Sequence, residues 1–101
     1  SRLSKEDSTH ALCTGHTYAY SNCDRVYVRI YLDKSDTAEY GSWGTVNYWT
    51  GTASDATMAS VSSGSYKVTK NKYYRVTGAH SVTENGTTEA TNTSTNAKLF
   101  N

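Results

Sequence analysis

The chain has 101 residues, of which 36% are apolar, with a formal net charge of +1, two cysteines and no proline. That length holds one domain around one core. The near-neutral charge shows no basic block and argues against nucleic acid or an anionic membrane as partner, and no apolar run approaches the length of a membrane span.

No window carries apolar residues at helical spacing over three turns, while Val, Thr and Tyr abound, nine of them Tyr. Those residues favour strands, so an all-β chain is expected. No signal peptide is present, so a secreted protein would be read here in mature or excised form. Ser1 to His10 is polar, mixed in charge and without period. It predicts a flexible N-terminal segment over residues 1–10, with a single β-sandwich domain over 11–101.

Cys13 and Cys23 bracket the next stretch. Laid out as one straight strand, residues 13 to 23 would hold the sulfurs about 33 Å apart at ~3.3 Å per residue. A disulfide needs Cα atoms within about 7 Å. A turn near Tyr18 would set Cys13 opposite Cys23 and staple the loop from Thr14 to Asn22; without one, both thiols stay free. A Tyr-, Thr- and Ser-rich chain that reads as extracellular favours the Cys13–Cys23 disulfide.

Arg25 to Asp33 alternates most cleanly. Val26, Val28, Ile30 and Leu32 face a core, and Arg25, Tyr27, Arg29 and Tyr31 face water. After the turn-rich Asp33–Asp36 and a loop reaching Ser42, a strand is expected from Trp43 to Thr52, with Val46 and Tyr48 opposing Asn47 and Trp49. Turns are expected at Thr52–Asp55 and at Ser62–Gly64, with a short strand between them that buries Val61. From Tyr74 the pattern is plain again: Tyr74, Val76, Gly78, His80 and Val82 inward, Tyr73, Arg75 and Thr77 outward. Asn85-Gly86 predicts a type I′ hairpin, because that turn needs positive φ at both central residues. Leu99-Phe100 is a last apolar anchor.

Val68, then Tyr74, then Val76 resembles the E–F corner of fibronectin type III and immunoglobulin-like domains. There a tyrosine at the start of a strand bonds back to the upstream backbone. The corner proline of that family is absent, and Val76 stands where an antibody domain has cysteine. Together with turn signals every eight to twelve residues, this predicts an immunoglobulin-like sandwich of two antiparallel sheets with about seven strands. From Cys13 to Glu89 the chain is also similar to small secreted proteins of Gram-positive gut bacteria. The shared features are Trp43, Val46 and Trp49, the Tyr73–Val76 strand, and Gly86, Thr88 and Glu89. That resemblance implies a secreted or cell-surface protein and carries no defined activity.

Nothing in the chain spells out catalysis. His10, His16 and His80 have no ligand spacing among themselves or with carboxylates. Glu84 and Glu89 flank a hairpin tip that offers no walled cleft to tune paired acids. The expectation is a non-enzymatic module with no metal or cofactor. Two surfaces could bind a protein, with a host surface protein or an immunoglobulin as the target of most interest. One is the outward face made by Tyr27, Arg29 and Tyr31 beside Tyr73 and Arg75, since Tyr and Arg concentrate at interface hot spots. The other is the stapled loop with His16, Tyr18 and Tyr20, physically similar to an antibody paratope. A carbohydrate-binding module stacking sugars on Trp43, Trp49 or the loop tyrosines is the alternative, as is a ligand-free structural domain of a larger surface protein.

Overall fold

A computed structural model describes residues 1–37 and 43–101. Its six strands are β1 (Arg2–Asp7), β2 (His10–Ser35), β3 (Gly44–Lys67), β4 (Lys72–Glu84), β5 (Thr87–Ser94) and β6 (Lys98–Phe100). All belong to one antiparallel sheet. β2 is its spine. β3 pairs along one edge of β2 nearly end to end, while β1 takes the first part of the other edge and β4 the last. β4 in turn carries β5 beside its second half and β6 beside its start.

The expected two-sheet, immunoglobulin-like sandwich is therefore wrong: the fold is a single sheet curled into a half-barrel. The curl begins at a large bulge. Tyr18 pairs with Met58 and Cys23 with Ala56, so residues 19–22 of β2 face Thr57 alone. Extra residues on one strand bend it and strengthen its twist. The alternation changes phase across this bulge: Ala11, Cys13, Gly15 and Thr17 are buried before it, Val26, Val28, Ile30 and Leu32 after it. The β2–β3 ribbon then folds over itself. A Cβ placed on Gly15 would lie 2.5 Å from Ile30 Cγ2, and one on Gly51 would strike the Ser60 carbonyl of its own strand.

The core lies inside this curl. Val26, Val28, Ile30, Leu32, Val76 and Phe100 are wholly buried, with Tyr74, Leu3, Ala59 and Val68 nearly so. Each such aliphatic side chain contributes about 1.5–3 kcal/mol by leaving water. Three expected core members differ. Val46 is 45% exposed, because Leu32 pairs with Asn47 and Asp33 with Thr45, leaving Val46 as the extra residue of a bulge. Val61 and Val82 are only half-buried, packed against the core from its margin. The tryptophan that packs on the core is Trp49, edge-on to Tyr66 with ring centres 5.2 Å apart.

The segment expected to be loose holds β1, with Leu3 opposite Cys13. The two expected mid-chain turns are irregularities inside β3, where Asp55 and Gly64 take positive φ (49° and 64°), and the chain does not reverse there. The corner and the last hairpin form as the sequence implies. The Thr69 N–H donates to Tyr74 Oη at 2.8 Å, and Tyr74 packs edge-on against Phe100. Asn85 and Gly86 take φ of 49° and 78°, and Glu84 pairs with Thr87 across them.

Candidate functional site

The second part of β2 is flanked by β3 and β4, so its odd-numbered side chains meet theirs on the convex face of the sheet. Across one ladder Tyr27, Arg29 and Tyr31 sit opposite Thr52, Thr50 and Tyr48; across the other they sit opposite Ser81, Ala79 and Thr77. The residues opposite on β4 are small, and Tyr27, Arg29 and Tyr31 are half-buried among their neighbours on this face while Arg25 is exposed.

These side chains order one another. The Arg29 guanidinium lies 4.8 Å from the Tyr48 ring centre and 5.9 Å from that of Tyr27, and Arg25 reaches Tyr27 from the other side at 5.3 Å. Arg29 Nε also donates to Thr50 Oγ1 at 3.0 Å, and Tyr31 packs on Tyr48 at 6.0 Å. Guanidinium over a ring face is worth about 0.5–1 kcal/mol at an exposed site and holds a long side chain in one place. The alternation of β2 alone marks Tyr27, Arg29 and Tyr31 in the sequence, whereas Tyr48 joins them only through the β2–β3 register. The signal was present in the Trp43–Thr52 alternation, yet the side facing the core was set by the Val46 bulge.

Further along this face lies a polar knot. Asp33 is buried, and its carboxylate accepts from Thr45 Oγ1 (2.8 Å), Thr77 Oγ1 (3.3 Å) and Arg75 Nε (3.4 Å). Three donors offset the cost of taking a carboxylate out of water. Arg75 is also stacked over Trp43 at 4.3 Å, so it joins the far end of the face. Tyr73 lies beyond it, opposite Ser35 and Leu99, away from the Arg29 cluster. Between Tyr31 and Arg75 on one side and Asn92 and Ser94 of β5 on the other runs a shallow groove of about 530 Å³, floored by Thr77 and Ala79.

The second expected surface is arranged differently. His16, Tyr18 and Tyr20 are exposed, and His16 stacks on Tyr18 with ring centres 6.1 Å apart. They lie on a continuous strand and its bulge, with no reversal near Tyr18. Hence Cys13 is not brought opposite Cys23, the Cys13–Cys23 disulfide is absent, and both thiols are free and buried. Cys13 faces Leu3 across the β1 ladder, and Cys23 faces Ala56 across the β3 ladder. Burial pushes the Cys13 thiol up to about 11 against a bond with Ser63, and burial followed by the Glu84 charge raises Cys23. Neither thiol is an activated nucleophile.

His80 sits inside the curl as a strut. Thr17 Oγ1 donates its one proton to the Tyr27 carbonyl, so its 2.8 Å contact with His80 Nδ1 is accepted from the ring N–H. His80 Nε2 is then the acceptor for Thr93 Oγ1, also at 2.8 Å. Gly78 has no side chain where this pair passes: a Cβ there would come within 2.8 Å of His80 Nε2. Burial, the largest cause, lowers the His80 pKa and keeps the ring neutral. Among the described residues no group of three His, Cys, Asp or Glu side chains converges as a metal site.

Residues 1–98 match the model of a family of unknown function, DUF6147, and the chain belongs to that family. No curated protein and no solved structure matches it.

Proposed function

We propose that this DUF6147 member is a non-enzymatic binding module, secreted or displayed at the cell surface, that takes a protein partner on the convex face of β2, β3 and β4. The observation that carries this reading is the interlocked set Arg25, Tyr27, Arg29, Tyr48 and Tyr31. Rings and guanidinia already held in place lose little rotamer entropy on binding, and they offer apolar area with polar rims. The groove beside them is broad and shallow, suited to a protein surface more than to an engulfed small molecule. Secretion is supported by the similarity to small secreted proteins of Gram-positive gut bacteria.

Sugar recognition is less well supported. It needs an open indole face, whereas Trp49 packs on the core against Tyr66 and Trp43 has Arg75 across its ring. The test is capture from human serum and mucosal secretions on the immobilised protein, beside a glycan array. One saturable protein partner, lost on combined Tyr27→Ala, Arg29→Ala and Tyr31→Ala substitution while the fold persists by circular dichroism, is the expected result. Undiminished capture by that variant, or glycan hits alone, would overturn the reading.

A further inference from the structure

Charge is unevenly spread over this molecule. Three of its four arginines, Arg25, Arg29 and Arg75, stand on the convex face, although the whole chain carries only +1. Among the described residues the one carboxylate there is Asp33, and it is consumed by Arg75, Thr45 and Thr77. The acids elsewhere have other places. Glu6 and Asp7 lie on β1, where Asp7 pairs with His10; Asp36 pairs with Lys72; Asp24 accepts from the Asn85 N–H at the hairpin tip. Asp55 sits in the β3 irregularity, Glu84 ends β4, and Glu89 pairs with Val82 on the opposite parity from Arg29's neighbours.

Arg25 and Arg29 are thus fixed by aromatic rings, and among the described residues neither is matched to a carboxylate. Arg29 gives its Nε–H to Thr50, so a carboxylate would take the edge formed by its two Nη groups, a bidentate geometry that suits a carboxylate. Resting on the reading of this face as a protein-docking surface, we infer that its partner is an acidic protein segment, laid along β2 so that its carboxylates meet Arg25 and Arg29. The two arginines are four residues apart on one strand, a spacing of about 13 Å. An extended partner with acids at every fourth residue matches it, and the tyrosines take the apolar stretch between.

The test uses the intact chain and a fluorescent serine–threonine peptide with glutamate at every fourth position, titrated by anisotropy at low and physiological salt. Saturable binding is expected, weakened at least tenfold by the Arg25→Gln/Arg29→Gln variant and by changing the peptide's glutamates to glutamine. Equal binding of the glutamine peptide, undiminished binding by the arginine variant, no binding, or binding seen only with heparin or a DNA oligonucleotide would each overturn it. A serum partner that binds wild type and the arginine variant alike, but is lost in Tyr27→Ala/Tyr31→Ala, removes the acidic-partner inference and leaves the docking surface standing. A partner that ignores both variants removes the two together.

Discussion

Gly15 and Ile30 belong to the same strand and face each other across the core. A Cβ on Gly15 would stand 2.5 Å from Ile30 Cγ2 and 3.1 Å from Val28 Cγ2. One strand can supply both walls of a core only if it bends sharply between them, and the bulge at residues 19–22 is that bend. The convex face that carries Arg29 and Tyr48 is the outside of the same curve. The geometry of the candidate site therefore depends on a close approach made inside.

Gly15→Ala is expected to destabilise the protein by about 1–3 kcal/mol, the usual cost of overpacking a filled core. Ile30→Leu removes the branched methyl that the new Cβ would strike. Combining the two should recover part of the loss, giving a coupling of about 0.5 kcal/mol or more in a urea-unfolding double-mutant cycle. Strict additivity would mean that the two halves of β2 do not meet.

Tyr74→Phe keeps the ring against Phe100 and removes only the oxygen that accepts from the Thr69 N–H. The expected cost is about 1–2 kcal/mol, that of a lost bond with a partner left wanting. Tyr74→Ala should cost about 3–5 kcal/mol, because the whole ring leaves a fully buried place. Chemical denaturation of the two variants separates corner hydrogen bond from core packing.

The corner was legible because its signals are local: Tyr74, Val76, Asn85 and Gly86 act through neighbours within a few residues. The inward set Val26, Val28, Ile30 and Leu32 was legible for the same reason, since period-two alternation says which side is buried. It does not say what lies across the core. A strand facing its own other half has the same pattern as one facing a second sheet, so the curl was hidden and a sandwich was the natural expectation. The bend at residues 19–22 has no Gly or Pro to announce it, and Thr52–Asp55 and Ser62–Gly64 carry turn residues without reversing the chain. Tyr27, Arg29 and Tyr31 were found from the strand itself, while Tyr48 needed the register across a bulge.

His80 gives the protein an acid-sensitive strut. Its folded pKa lies below the ordinary value of 6.5, burial being the main cause. The unfolded chain then binds more protons than the folded one as pH falls through 6.5, and stability rises with pH where the unfolded state holds the extra proton. The contribution is complete above the unfolded pKa and is lost progressively from near 6.5 down towards the folded pKa. Stability measured from pH 7.5 to 5 should fall over that window. His80→Gln, which cannot titrate, should start less stable and show a flatter slope; an unchanged slope would place the titration elsewhere.

Both cysteines are free and buried, and burial holds both thiols above their ordinary pKa, Cys13 at about 11. At neutral pH almost none of the Cys13 is thiolate, the form that attacks a disulfide reagent. A thiol-reactive chromogen should therefore label Cys13 only as fast as the native fold opens, and both residues at once in denaturant. Intact mass should be the same with and without reductant. If the unreduced protein were lighter by two hydrogens, β2 would have to reverse near Tyr18 to bring Cys13 to Cys23. The bulge would then be a turn, and the continuous β2 that brings Gly15 against Ile30 would be lost. Alkylation under native conditions followed by mass spectrometry thus tests the thiols and the spine of the sheet in one experiment.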